Sequence, residues 1–124
     1  MSSRESEVHI AIVSWLKYSL PTESLVHHSP NEGRHNVAYR VKQKRLGMMT
    51  GWPDIEIIVS AKHFHKPLFY HAPIFLEVKA AKGRLTKSQT SVLEKLRKLG
   101  AHTAVVRSID DARDFLSEII ELRA

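Results

Sequence analysis

The chain has 124 residues, enough for one domain that buries about two-thirds of the surface its unfolded form exposes. Its 43% apolar and 26% charged residues are those of a globular protein and exclude a disordered or fibrous one, and no apolar run nears the ~20 residues that span a bilayer. With no cysteine, disulfides, thiolate zinc sites and cysteine nucleophiles are excluded together, while a net charge of +6 favours a polyanionic partner without establishing one.

Any metal must then be held by oxygen or imidazole, which favours a hard cation such as Mg²⁺ or Mn²⁺. The polar start, Met1 to Glu5, has no apolar signal segment, so the expectation is a cytoplasmic protein without membrane contact.

In chain order, Val8, Ala11, Ile12, Trp15 and Leu16 recur at helical spacing, which predicts a helix over residues 4–19 closed by Pro21. A short strand is expected over residues 25–28. Ser29 to Gly33 is turn chemistry, and the basic segment 36–46, ended by Gly47, reads as a second helix bearing Arg40, Lys42, Lys44 and Arg45. Gly51-Trp52-Pro53 then introduces Asp54 to Val59, whose β-branched residues predict a strand, and residues 74–79 predict another. The His- and Pro-containing stretch 61–73 between them reads as a surface excursion or hairpin extension. Thr86 and Gln89 form a capping-box pattern before a helix with Val92, Leu93, Leu96 and Leu99 inward, stopped by Gly100. A strand over residues 103–107 follows, and Ser108 caps a last helix with Ala112, Phe115, Leu116, Ile119 and Ile120 inward. The order αβαββαβα predicts an α/β fold, a mixed β-sheet flanked by helices, over a single domain at 1–124.

Strand side chains alternate between faces, so Glu77 and Lys79 share a face while Ile74, Leu76 and Val78 point into a core. Unpartnered buried charge is costly, so this pair reaches the sheet edge, forms an ion pair, or meets a metal and substrate. Asp54 begins the preceding strand, where its carboxylate could reach the same place. Two carboxylates and a lysine at strand ends suit phosphodiester hydrolysis: the carboxylates and the Val78 carbonyl can hold a divalent cation, and the lysine can orient water and offset developing negative charge. A solvated edge strand with an incidental ion pair is the alternative.

Two further residues face the same region. At about 100° per residue, Glu5 falls within the stripe of Val8, Ile12 and Leu16, and Glu7 falls outside it, although an acid in the first turn also suits the helix dipole. Gln89 faces the sheet, yet as the third residue after Thr86 it also serves to complete the capping box.

Gly51-Trp52-Pro53-Asp54, then Glu77-Val78-Lys79, then Leu85-Thr86-Lys87-Ser88-Gln89, followed by the Gly100 to Ser108 stretch, resembles the VRR-NUC branch of the PD-(D/E)XK nuclease superfamily. The resemblance covers nearly the whole chain, including the opening helix, where the family's metal-site glutamate aligns best with Glu5, and the Asn31 turn. It implies a restriction-endonuclease-like fold and a metal-dependent deoxyribonuclease. Asp54, Glu77, the Val78 carbonyl and Glu5 would bind Mg²⁺, with Mn²⁺ able to substitute; Lys79 would assist the attacking water and Gln89 would support the site. The chain resembles the stand-alone phage and bacterial members, which are similar to junction-resolving enzymes. That implies a homodimer acting on branched DNA, with a four-way (Holliday) junction preferred and a role in DNA repair. Flap or other branched DNA is the alternative substrate.

His28, Asn31, Arg34, Arg40, Lys42, Lys44 and Arg45 are candidate DNA contacts, with a solvated basic face as the alternative. His27 precedes the same turn. His63, His65 and His71 could hold a transition metal, though a His-containing loop is more often simply exposed. The last helix and the 61–73 loop are candidate subunit interfaces. A noncatalytic DNA-binding module and a protein-interaction subunit are the competing functions.

Overall fold

The computed structural model describes residues 2–30, 36–66 and 72–123. Asn31, Arg34 and His71 lie outside the described residues. The elements are α1 (Ser3–Ser19), β1 (Leu25–His28), α2 (Val37–Arg45), β2 (Ile55–Ile58), a 3₁₀ turn (Ala61–His63), β3 (Ile74–Val78), α3 (Lys87–Lys98), β4 (His102–Val106) and α4 (Ile109–Ser117). The order and type of the helices and strands are those the sequence predicts, with most ends shifted by a residue or two; the last helix stops at Ser117, short of Ile119 and Ile120, Leu99 is exposed rather than inward, and no described helix is long and apolar enough to cross a membrane.

Each helix start has its own chemical cause. Ser2, Asn36, Thr86 and Ser108 each accept a backbone N–H from the helix's first turn, satisfying a donor that has no partner within the helix. Thr86 and Gln89 form the full capping box.

The four strands form one sheet in the order β1-β2-β3-β4, with β1–β2 and β2–β3 antiparallel and β3–β4 parallel through α3. Alternation sorts the strand residues. Ile55, Ile57, Ile74, Leu76, Val78 and Val106 join Ile12 and Leu16 of α1 and Ala112 and Leu116 of α4 in one core. Burying each large aliphatic contributes about 1.5–3 kcal/mol, so this face holds the sheet together. The opposite face carries Phe75, against which the edge of the Trp52 ring packs at 5.3 Å, and Glu77.

Two expectations change. Ala112, Leu116, Ile119 and Ile120 of α4 and its end are buried in the core, and Ile109 and Phe115 are partly buried against it, so most of the apolar surface of α4 is taken up within the subunit. The first half of the 61–73 loop is not a loose excursion: Phe64 is buried and bridges Ile120, and the His65 Nε2–H donates to the Ser117 carbonyl at 2.9 Å. That bond holds His65 in the fixed part of the loop through one ring nitrogen.

Candidate active site

The register of β2 against β3 pairs Ile55 with Leu76, Glu56 with Phe75 and Ile57 with Ile74. Carrying it one residue further sets Asp54 opposite Glu77, on the face away from the aliphatic core. Residues 23 positions apart in sequence are thereby cross-strand neighbours, within reach of one another's side chains. Asp54 is fully buried, Glu77 is 1% exposed and Lys79 7% exposed. Since β3 lies between β2 and β4, these charges are not on an edge strand, and the solvated-edge alternative falls.

Two contacts tie the charged groups together. The Val78 N–H donates to Asp54 Oδ2 at 2.7 Å, and Lys79 Nζ lies 3.8 Å from Glu77 Oε2. Glu77 Oε1 is buried without a hydrogen-bond partner. Burial, first, and then the charge of Asp54 push the Glu77 carboxyl from 4.5 up to about 8 against the lowering pull of Lys79; a hydrogen bond with Asp54 and the charge of Glu5 add to the rise. Near neutral pH the apo protein therefore keeps a proton between the Glu77 and Asp54 carboxyl groups.

A site that holds a proton against its will suits a divalent cation. Asp54, Glu77 and the Val78 carbonyl are hard oxygen donors of the kind Mg²⁺ and Mn²⁺ accept, and the unpartnered Glu77 Oε1 has a lone pair to give. Among the described residues no three His, Asp or Glu side chains already form a finished ion cage. The ligands are neighbours that a cation would have to draw together.

Glu5 is half-buried and Glu7 exposed, as helical phase predicts, and the charge of Glu5 is felt at Glu77. Gln89 Oε1 accepts the Thr86 N–H at 2.9 Å, so its carbonyl serves the capping box of α3. That box lies against the Gly51 turn: a Cβ on Gly51 would stand 2.5 Å from the Ser88 carbonyl carbon and 2.8 Å from the Gln89 nitrogen. Gly51, at φ +87°, thus admits the start of α3 to the loop that delivers Asp54.

His28 joins the site from β1. Its Nδ1–H donates to the Asp54 carbonyl at 3.0 Å, beside the Ser29 N–H at 2.9 Å. Its ring also meets His9 edge-on, 4.6 Å between centroids. His27 is exposed on the neighbouring position of the strand.

His9 and Arg107 are the residues that sequence reasoning missed. His9 is buried one turn beyond Glu5, and burial, then His28, lower its pKa against the opposing pull of Asp54, which keeps the ring neutral. The signal was available: Glu5 and His9 are four apart, on the stripe that continues to Ile12 and Leu16. Arg107 Nη1–H groups donate to the Ala80 and Gly83 carbonyls, each at 2.7 Å, which fixes the turn directly after Lys79. No local pattern announced that fork, because its partners lie 27 and 24 residues away.

The VRR-NUC domain family model matches residues 2–110. A solved VRR_NUC domain protein is similar to this chain at 26% identity and a TM-score of 0.66, over 91% of this chain and 84% of that one. No curated protein matches. The chain belongs to the VRR-NUC domain family, and its function is of nuclease type, acting on DNA.

Proposed function

We propose that this VRR-NUC chain is a divalent-metal-dependent DNA endonuclease with a PD-(D/E)XK-type centre, working as a cytoplasmic homodimer that prefers four-way junctions over linear duplex. The observation that carries the catalytic part is the buried Asp54–Glu77 pair, with one carboxylate oxygen unpartnered and Lys79 beside it.

A bound Mg²⁺ or Mn²⁺ would supply Lewis-acid polarisation of a phosphodiester oxygen and lower the pKa of water. Asp54 and Glu77, with the Val78 carbonyl, would hold that ion, and Glu5 would complete its surroundings from α1. Asp54 is preset by the Val78 N–H, which fixes its Oδ2, and its carboxyl also meets that of Glu77. Lys79 keeps its ammonium at the Glu77 carboxyl, where it orients the attacking water and offsets charge that grows on the phosphate. Gln89 supports the site from the first turn of α3. His28 and the cations Arg40, Lys42, Lys44 and Arg45 contact the substrate, together with Asn31 and Arg34.

Cleavage of a panel of hairpin, flap, four-way junction and linear duplex DNAs, with Mg²⁺, Mn²⁺, Ca²⁺ or EDTA, tests this reading. Cutting in EDTA would overturn the metal requirement. Duplex or flap cut as readily as junctions would overturn the substrate preference. Binding without any cutting would favour a noncatalytic module.

A further inference from the structure

α2 stands apart from the rest of the fold. None of its residues is buried, and among the described residues no helix or strand makes an extended contact with it. It has its own start, since Asn36 Oδ1 accepts the Tyr39 N–H at 2.8 Å. Yet isolated helices shorter than about 12 residues are marginal in water, and this one has nine. It carries Arg40, Lys42, Lys44 and Arg45 with no acidic residue, and Arg40 and Lys44 are like charges one turn apart. Val37 and Val41 are 67% and 51% exposed. Among the described residues, no ion pair joins these four cations to the body of the protein, and the two valines stand exposed.

The arrangement around the helix axis selects the occupant. Val37 and Val41, four apart, form a ridge; at about 100° per residue Arg40 and Lys44 fall on one flank, and Arg45 and then Lys42 on the other. A second copy of α2 would set four cations against four. A polyanion with two rows of charge separated by a groove matches the pattern, and a helix about 10–12 Å across with its side chains fits the ~12 Å width of the DNA major groove.

Resting on the reading of the chain as a DNA enzyme, we infer that α2 is a duplex-gripping element. Its valine ridge enters the groove, Arg40 and Lys44 neutralise phosphates of one strand, Lys42 and Arg45 those of the other, and the DNA stabilises the helix in return.

The test uses the full chain in EDTA, so that binding is measured without cleavage, with a short blunt duplex as the probe. Arg40→Gln/Lys44→Gln and Lys42→Gln/Arg45→Gln are compared with Lys17→Gln/Lys98→Gln, exposed cations outside α2. Each α2 pair should lower the slope of log affinity against log salt by about 2, at ~0.9 per phosphate contact, and the control pair should leave it unchanged. Amide exchange in residues 40–46 of the wild type should slow on adding duplex; the absence of buried side chains predicts unchanged melting temperatures for the variants, and the wild-type exchange decides the matter if one unfolds. Unchanged slopes together with unchanged exchange would overturn the inference and leave the nuclease reading standing. Variants that shift the sedimentation of the protein while keeping the salt slope would overturn it in favour of an interface between copies. A wild type that binds no DNA would overturn both readings.

Discussion

Asp54 faces Glu77 across the β2–β3 ladder, and the two carboxyl groups share a hydrogen bond while burial holds Glu77 protonated up to about pH 8. In the unfolded chain the same carboxyl titrates near 4.5. Between those values the folded protein binds more protons than the unfolded one, so stability falls as pH rises. The contribution is fully present below 4.5, declines as pH rises through about 8 and is then gone. Melting temperatures of the metal-free protein should therefore drop across that window. Saturating Mg²⁺ should flatten the slope, because the cation replaces the proton, and metal binding at pH 7 should release protons measurable by calorimetry in buffers of different ionisation enthalpy. A pH-independent melting temperature in EDTA would show that the pair does not share a proton.

Glu77→Gln, Asp54→Asn and Lys79→Ala should each lower cleavage by about 100-fold or more, the scale on which a group acting on transition-state charge counts. Glu77→Gln should also abolish the pH dependence of stability just described, since the amide does not titrate. Loss of cleavage with that dependence intact would mean that another buried acid carries it.

These residues were legible before the structure because their chemistry conflicts with their place in the sequence. Glu77 and Lys79 interrupt an otherwise apolar strand, and unpartnered charge on a buried strand is costly. The helix boundaries were legible through Ser2, Asn36, Thr86 and Ser108, each a side-chain acceptor at a helix start. Strand direction was not, since a run such as Ile74 to Val78 has the same pattern parallel or antiparallel. Nor was the packing of Phe64 and His65 onto the end of α4, which joins segments more than fifty residues apart. Gln89 had two readings in the sequence, and the structure shows one of them: its carbonyl closes the capping box, with its backbone nitrogen against Gly51.

Glu5 and Glu7 provide an internal comparison on one helix. Glu5 is half-buried and its charge reaches Glu77, whereas Glu7 is exposed. Glu5→Gln should weaken Mg²⁺-dependent cleavage by roughly tenfold or more, the loss expected from about 1.4 kcal/mol of transition-state stabilisation, and Glu7→Gln should be near neutral. Titration of the two variants across Mg²⁺ concentration separates metal affinity from turnover. Equal effects would place the helix in a different rotation.

Gly51→Ala should be destabilising out of proportion to one methyl group. The residue sits at φ +87°, where an L side chain is strained, and its Cβ would meet backbone atoms of Ser88 and Gln89 that belong to a capped helix end and cannot simply rotate away. Strain of this kind is worth about 1–3 kcal/mol, read as a lower urea midpoint. The Asp54 loop and the start of α3 should separate together, so activity should fall beyond the loss of folded protein. Gly47→Ala is the control, because a Cβ there meets nothing within 4 Å although φ is also positive.

The last prediction is that the protein sediments as a dimer at micromolar concentration and cuts a four-way junction in preference to linear duplex. One site on a 124-residue chain offers little surface for telling a branch from a duplex, whereas a two-fold pair presents two sites and doubles the basic footprint. Most apolar residues of α4 fill the core of its own subunit. Two copies of α2 would repel each other, with four cations on each. An apolar patch that remains is the cross-strand pair Leu25 and Ile58, 66% and 46% exposed, beside the open edge of β1. Ile58→Lys should then convert dimer to monomer, reduce junction cutting and leave the Mg²⁺-dependent nicking of linear duplex intact, because Ile58 lies at the far end of β2 from Asp54. A wild-type monomer that cuts junctions no better than duplex would remove the resolving role while leaving the Asp54–Glu77 centre as the site of hydrolysis. A dimer insensitive to Ile58→Lys would move the interface elsewhere and keep the two-site argument.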